Sequence, residues 1–339
     1  KVEFKDVPEY MPYAQNFSNA YNAGIISPDG EQLMNPKAHI TRQEAASILY
    51  LAFNIQKPEE NVSSLFKDSD EIKEEYKQAV CALAAKGYIN GRPGNVFAPN
   101  DVITRAEAAK IISNIVADIK NVSGTYSEDV TGNLVVNAGD VVLKDMVIDG
   151  DLYLAHGIGD GNVTMDNVTV KGRTIVNGGG ENSIIINNSS IAGTLVIYKQ
   201  DGKIRIVTKG STNIENTELR SGATLKTEES NSLKNIEIIE VKAGEEVKLD
   251  GDFEKVSVDT SDGKIEIVDG KVDTLTVNSE NANIHLSSGT ISHADILSKS
   301  ELNVVGGVIE DITFNNTAAG TKMNVNENAI VRNLETATQ

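Results

Sequence analysis

Hydrophobic and polar positions follow two different periods along this chain. Up to about residue 118, apolar residues recur every three or four positions, as on one face of an α-helix. From residue 133 onwards they alternate with polar residues, which is the period of a β-strand. Residues 119–132 follow neither period and are predicted to form the junction. The pattern predicts a helical N-terminal part and an all-β C-terminal part.

The helical part contains an internal repeat. The segment Ile40–Ala46, with the sequence Ile-Thr-Arg-Gln-Glu-Ala-Ala, recurs 63 positions later as Ile103–Ala109, Ile-Thr-Arg-Ala-Glu-Ala-Ala. Each copy is predicted to form a helix, a polar loop and a second helix. Gly24 and Gly87 follow the last turn of the first helix, where glycine is favoured because it adopts a left-handed backbone without strain.

The second helix of each copy begins with a capping box. Thr41 is followed three residues later by Glu44, and Thr104 is followed in the same way by Glu107. In this motif the threonine hydroxyl accepts a hydrogen bond from the glutamate amide, and the carboxylate accepts one from the threonine amide. The two glutamates are therefore interpreted as helix caps rather than ligands.

Together these positions carry a family resemblance. The segments Phe66–Asp68, Phe97–Pro99 and Ile103–Ala109 resemble the S-layer homology (SLH) repeat, and the first copy matches less well, with Gln43 in place of Ala106. The resemblance covers residues 4–118. It implies that the repeats anchor an exported protein to a secondary cell-wall polysaccharide, in many members a pyruvylated one. It also implies three repeats around a pseudo-threefold axis, of which two are visible in this sequence.

Two arginines are candidate contacts for the wall polymer. Arg42 and Arg105 take the first position after the threonine cap, where free backbone amides and the helix dipole favour an anion. A guanidinium there adds a planar fork that fits a carboxylate, such as that of a pyruvyl ketal. The alternative is that each arginine pairs with an aspartate or with an acid of the neighbouring repeat. The predicted polymer-binding residues are Arg42, Arg105, Asp6, Asp68, Gly24 and Gly87.

The β part repeats with a period of about 20 residues. Strand-like runs surround Gly150, Gly172 and Gly193, which are 22 and 21 residues apart, while residues 199–262 follow the period less closely. Farther on, Gly270 and Gly289 are 19 residues apart. Units of this length with short Gly, Asn and Asp turns predict a right-handed parallel β-helix. A sandwich of hairpins, the rival fold, requires no such fixed period.

The predicted organisation has three parts. Residues 1–58 and 59–122 form two all-α SLH repeats, and residues 123–339 form an all-β solenoid, the right-handed parallel β-helix. The net charge of −18 belongs mainly to the solenoid. Residues 1–122 hold 13 basic and 16 acidic residues, and the remainder holds 18 and 33, which gives −3 and −15. An acidic surface of this kind repels nucleic acid and anionic lipid.

The sequence offers little chemistry beyond anchoring. No apolar run of about 18 residues predicts a membrane span, and the single cysteine, Cys81, excludes a disulfide within the chain. No nucleophile–base pair, metal-ligand set or cofactor motif is recognisable, so no catalytic residue, metal or cofactor is predicted.

The function predicted from the sequence is that of an extracellular, non-enzymatic protein of the cell wall or S-layer. Its predicted partners are secondary cell-wall polysaccharide and other S-layer subunits. Two alternatives stay open at this point. One is a wall-anchored adhesin or carbohydrate-binding protein. The other is a surface polysaccharide lyase or hydrolase, because many such enzymes are β-helices, although fold alone supplies no activity.

Overall fold

The computed structural model describes residues 4–22, 24–56, 65–181, 183–199, 204–229 and 232–336. The chain divides into two compact units, Lys1–Ile115 and Val116–Gln339. The predicted boundary between the repeats, at residues 58 and 59, lies outside the described residues. The junction predicted for residues 119–132 is wrong, because strands occupy 116–120 and 124–126 directly after the last helix.

In the described part of the N-terminal unit, four helices form the framework, one pair for each repeat. A 3₁₀ turn, Ser69–Glu71, precedes the third helix. Isolated β-bridges join Thr41 to Val102 and Arg92 to Val96. The unit is therefore helical with short extended contacts, and the strict all-α assignment stays a prediction. The helices are α1 (Ala14–Asn22), α2 (Arg42–Ala52), α3 (Glu74–Ala85) and α4 (Arg105–Ile115).

The core of this unit lies where the two repeats meet. Helix α2 packs on α3, and small side chains such as Ala46 and Ala82 are buried. Small residues at a crossing let helix backbones approach closely, so the buried volume is filled without large side chains. Beside them the buried rings of Phe66 and Phe97 have centroids 5.3 Å apart. The second repeat thus supplies the aromatic core against which the first is held.

The C-terminal unit is a parallel β-solenoid of about 11 turns, called rungs below. Each rung has two strands, and each strand pairs in parallel with a strand one rung away. Even-numbered and odd-numbered strands form two ladders, which are joined where β6 also pairs with β9. The strands are β1 (Val116–Lys120), β2 (Gly124–Tyr126), β3 (Asn133–Val136), β4 (Val141–Ile148), β5 (Leu152–Leu154), β6 (Val163–Val170), β7 (Thr174–Val176), β8 (Ile185–Asn187), β9 (Ser190–Ile197), β10 (Arg205–Lys209), β11 (Asn213–Leu219), β12 (Ala223–Thr227), β13 (Leu233–Ile238), β14 (Glu246–Asp250), β15 (Phe253–Val258), β16 (Lys264–Asp269), β17 (Lys271–Val277), β18 (Asn283–Leu286), β19 (Thr290–Ile296), β20 (Glu301–Val304), β21 (Gly307–Phe314), β22 (Lys322–Val325) and β23 (Ala329–Thr336).

The pairing register places apolar residues of one rung above apolar residues of the next. Val256, Leu275, Ala294 and Ile312 lie opposite one another on successive odd-numbered strands, and all four are buried. Because parallel pairing repeats the same in–out pattern on every rung, the apolar positions merge into one continuous core. This confirms the parallel β-helix. Residues 204–262, where the sequence pattern is less regular, form β10 to β15 on the same plan. The right-handed sense stays a prediction.

The periodic glycines mark where adjacent backbones touch. Gly251, Gly270, Gly289 and Gly307 form one column, each with positive φ. A Cβ built on Gly289 lies only 2.3 Å from the carbonyl oxygen of Gly270. Only glycine fits a left-handed position with another backbone that close. The spacings of 19, 19 and 18 residues between these glycines are therefore the rung lengths in this part of the solenoid.

Candidate functional site

Asp6 and Asp68 hold the polar loop of their own repeats. Both carboxylate oxygens of Asp68 accept backbone amides, from Phe97 at 2.7 Å and Ala98 at 2.7 Å. Asp6 does the same for Met34 and Asn35, at 2.9 and 2.7 Å. The two copies of the repeat therefore share this contact between an aspartate and two loop amides. Each aspartate has a structural task, and its predicted contact with polymer stays a prediction.

Gly24 and Gly87 end the first helix of each repeat. Their φ values are +67° and +71°, in the left-handed region, and both are exposed. The amide of Tyr88 reaches back to the Leu83 carbonyl at 2.9 Å and so closes the end of α3. This confirms the helix-terminating position predicted for both glycines. Nothing lies within 4 Å of a Cβ built on either residue, so open space adjoins each of them.

Both predicted capping boxes are present. The Thr41 amide donates to Glu44 Oε2 at 2.7 Å, and the Glu44 amide donates to the Thr41 hydroxyl at 3.3 Å. The corresponding distances for Thr104 and Glu107 are 2.9 and 3.2 Å. Four residues of local sequence suffice for this motif, which explains why it is readable without the fold.

Arg42 is buried between the two repeats, with only 3% of its surface exposed. Its Nε donates to the Phe97 carbonyl at 2.8 Å, and Nη1 donates to Glu107 Oε1 at 2.8 Å. The guanidinium also lies 5.1 Å from the centre of the Phe97 ring. For Arg42 the alternative considered above is therefore what the structure shows, because it pairs with an acid of the neighbouring repeat. Its role in polymer binding stays a prediction.

Glu107, the acid that Arg42 binds, belongs to a wider ionic cluster. Arg92 donates to Glu107 from Nη2 at 3.1 Å and also pairs with Asp101. The hydrogen bond from the Thr104 amide, with those from the Thr104 hydroxyl and Arg92, lowers the pKa of Glu107 to about 2. Burial lowers the pKa of Arg42, and the Glu107 carboxylate opposes that shift. Glu107 is thus at once a helix cap and the counter-ion of two arginines.

Gln43 is a residue whose role sequence reasoning missed. It is almost fully buried, and its side chain donates to Asn100 Oδ1 at 2.9 Å while accepting the Lys73 amide at 3.0 Å. Lys73 is the N-cap residue of α3, so Gln43 of the first repeat caps a helix of the second. In the sequence it stood out only as a departure from the repeat pattern. The available signal was that glutamine, which can both donate and accept hydrogen bonds, stands where the second repeat has an alanine.

The first turns of α2 and α4 have different surroundings although their sequences match. The Arg42 amide donates to the Asp101 carbonyl at 2.9 Å, and the Gln43 amide donates to the Pro99 carbonyl at 3.2 Å. Within the described chain, the corresponding amides of Arg105 and Ala106 have no hydrogen-bond partner. Both residues are exposed. The start of α4 therefore combines two free amides with an uncovered guanidinium.

The predicted site residues do not form one cluster. Arg42 and Asp68 meet at Phe97, because one binds its carbonyl and the other its amide. No contact in the described chain joins Arg105, Asp6 or Gly24 to that pair. Among the described residues no group of His, Cys, Asp and Glu is arranged to hold a metal ion. The described helices include none that is long and apolar enough to cross a membrane.

Comparison with known proteins identifies the helical repeats. The model of the S-layer homology domain matches residues 3–46 and 65–109. Over 122 residues, 35% of the chain, the sequence is 42% identical to the exoglucanase XynX of Acetivibrio thermocellus, covering 11% of that protein. It is 39% identical over 123 residues, 35% of the chain, to an amylopullulanase of Thermoanaerobacterium thermosulfurigenes, covering 7% of that enzyme. No solved structure matches the chain.

A third relative is itself a surface protein. The surface-layer 125 kDa protein of Lysinibacillus sphaericus is 33% identical over 114 residues, which is 33% of this chain and 9% of that protein. The chain thus spans about a tenth of the length of these relatives or less. The two enzymes are matched only through their SLH domains. These matches indicate a cell-surface or cell-wall location, and the chain is a protein with two S-layer homology repeats followed by a parallel β-solenoid.

Proposed function

We propose that this protein is held non-covalently on a secondary cell-wall polysaccharide by its SLH repeats and that the solenoid has a structural role, as a spacer or as part of an S-layer. The match of two segments to the S-layer homology domain carries the proposal. The similarity to a surface-layer protein over 33% of the chain supports anchoring at the cell surface.

The start of α4 is the proposed contact for an anionic group of the polymer. A carboxylate placed there accepts hydrogen bonds from the free amides of Arg105 and Ala106 and lies beside the positive end of the helix dipole. The exposed Arg105 guanidinium adds a charge-assisted pair of hydrogen bonds. Pyruvyl ketals carry such a carboxylate, and we propose pyruvylated polymer as the ligand. Arg42 is assigned a supporting role, because its guanidinium already binds Glu107 and the Phe97 loop.

The solenoid offers features of a scaffold more than of a sugar-binding surface. Residues 116–339 contain five aromatic side chains, and each of them is buried or half-buried, so none is available as an exposed stacking platform for a sugar ring. A cavity inside the core, lined by residues such as Leu275 and Leu302, has a volume of about 10 Å³, which is too small for a sugar. These observations favour the structural role over an adhesin, and the enzyme names of two relatives concern proteins matched through SLH domains alone.

Binding to purified cell-wall sacculi tests the anchoring. The chain is expected to sediment with sacculi and to stay in solution once the secondary polymer has been removed. A further sample, with ketals removed from the polymer, is expected to lose most of the binding. Equal binding to intact and stripped sacculi would contradict the anchoring proposal. Undiminished binding to the ketal-free polymer would contradict only the choice of the pyruvyl group.

Two matched variants on α4 test the anion site. Arg105→Ala is expected to weaken binding about tenfold or more through loss of a charge-assisted contact. Lys110→Ala removes another exposed cation of the same helix, and binding should change by about twofold or less. Equal losses in both variants would mean that general positive charge, rather than the helix start, holds the polymer.

A further inference from the structure

The sequence contains two Asn-Gly pairs. One, Asn90 and Gly91, lies in the second SLH repeat, and the other, Asn177 and Gly178, lies in the solenoid. In such a pair the glycine nitrogen can attack the side-chain carbonyl carbon of the asparagine, because glycine has no Cβ to block the approach and reaches backbone conformations closed to other residues. Local sequence therefore predicts a reactive site at both pairs, and the fold decides between them.

The pair in the solenoid is held by hydrogen bonds. The backbone amides of Asn177 and Gly178 both donate to the Leu154 carbonyl, at 2.8 and 3.1 Å. The side-chain amide of Asn177 donates to the Tyr198 carbonyl at 2.9 Å, and Gly178 is buried. Attack by the glycine nitrogen requires these bonds to break first, so the fold protects this pair.

The pair in the second repeat is not held in this way. Asn90 and Gly91 lie in the loop after α3, outside any helix or strand, and Asn90 is exposed. Within the described chain, the Asn90 side chain has no hydrogen-bond partner and the Gly91 amide donates to no acceptor. The side chain and the attacking nitrogen can therefore approach each other without breaking a hydrogen bond of their own.

Packing explains why a glycine follows Asn90. A Cβ built on Gly91 lies 3.0 Å from the Phe66 ring and 3.3 Å from the Val96 carbonyl oxygen, so a larger residue, which would slow the attack, has little room. The first repeat has Ser27 and Pro28 at the corresponding positions, 63 residues earlier. Proline has no N–H and serine has no side-chain amide, so the first repeat cannot react in this way.

We propose that Asn90 is a modification site, at which the folded chain deamidates spontaneously. The Gly91 nitrogen bonds to Cγ of Asn90, the bond from Cγ to the side-chain nitrogen breaks, and ammonia leaves with the Gly91 amide proton. Water then opens the resulting cyclic imide. Opening at the side-chain carbonyl gives aspartate, and opening at the main-chain carbonyl gives isoaspartate. Water is consumed and ammonia released, without an oxidant, a reductant or a cofactor.

The modification acts at the contact between the two repeats. The main-chain carbonyl oxygen of Asn90 accepts a hydrogen bond from Nη2 of the buried Arg42 at 3.3 Å. In isoaspartate this carbonyl carbon becomes the free carboxylate, while the chain continues through the former side chain and gains a methylene. Arg42 thereby acquires a second acid beside Glu107, which it already binds. The proposal does not depend on polymer binding by the repeats.

Incubation of the full chain at mildly alkaline pH, followed by peptide mapping in a mass spectrometer, tests the proposal. Each deamidation raises the mass of its peptide by about 1 Da. In the folded chain, Asn90 is expected to react about tenfold or more faster than Asn177, because the hydrogen bonds of the solenoid pair must break first. In the chain unfolded in urea, the two rates should agree within about threefold. Asn90→Gln is the control variant and should show no mass change at this peptide, since its longer side chain must close a larger ring.

Three results would overturn parts of this reasoning. If Asn90 stays intact in the folded chain while the unfolded chain reacts, the site is closed and the proposal is wrong. If Asn177 reacts as fast as Asn90 in the folded chain, hydrogen bonding does not protect the solenoid pair. Fragmentation of the peptide separates isoaspartate from aspartate, and aspartate alone at position 90 would overturn the proposed effect on Arg42.

Discussion

The glycine column makes a quantitative test of how the solenoid stacks. In Gly289→Ala the new Cβ lies 2.3 Å from the Gly270 carbonyl oxygen, about 1 Å closer than ordinary contact. The two rungs must separate locally, although the Thr290 amide binds that same oxygen at 2.8 Å. The residue also has φ +83°, which costs an alanine about 1–2 kcal/mol by itself.

The total cost follows from these terms. Overpacking of about 1–3 kcal/mol and weakening of one backbone hydrogen bond of about 1 kcal/mol add to the backbone strain. We therefore expect Gly289→Ala to lower the free energy of unfolding by about 3–6 kcal/mol. Gly244→Ala is the control, because Gly244 has φ +86° but nothing within 4 Å of its Cβ. It should cost only the strain, about 1–2 kcal/mol.

Urea unfolding followed by circular dichroism measures both variants, and hydrogen exchange locates the effect. The Thr290 amide should exchange faster in Gly289→Ala and at the wild-type rate in Gly244→Ala. If the two variants lose equal stability, the positive φ explains the glycine and the close approach of the rungs does not. The stacking argument would then be refuted.

Two further predictions concern the ionic cluster between the repeats. Arg42→Ala removes the buried guanidinium that binds the Phe97 carbonyl and Glu107, while Arg92 still pairs with Glu107, and it should destabilise the N-terminal unit by about 1.5–3 kcal/mol in thermal unfolding. Its counterpart Arg105→Ala, at an exposed residue, should change stability by about 0.5 kcal/mol or less, and equal effects would contradict the assignment. The pKa of Glu107 is lowered from 4.5 to about 2 in the folded chain, so its stabilising contribution is complete above about pH 4.5 and lost as the pH falls towards 2. The urea midpoint should fall across that window, and Glu107→Gln should flatten the slope, whereas an unchanged slope would mean that other carboxylates dominate.

The local motifs could be read from sequence because each is determined within a few residues. Thr104 and Glu107 satisfy each other's amides within a single helical turn, whatever packs around them. The regular spacing of glycines could also be read from the sequence, because one position in each rung requires a positive φ and a close backbone contact.

The different burial of Arg42 and Arg105 shows what local sequence cannot determine. Arg42 and Arg105 follow the same Ile-Thr and precede a glutamate at the same distance. One is enclosed by the Phe97 loop of the other repeat, and the other is exposed. Burial depends on which surface lies opposite, and that surface comes from residues about 60 positions away.

The sequence by itself therefore determined the order of a helical and a β part, the two capped repeats and the rung period, because helix caps and strand alternation are short-range effects. The tertiary structure alone decided that Arg42 and Gln43 join the repeats and that the start of α4 is open. These properties depend on contacts between distant segments. A side chain's exposure and charge partners exist only once those segments have been brought together.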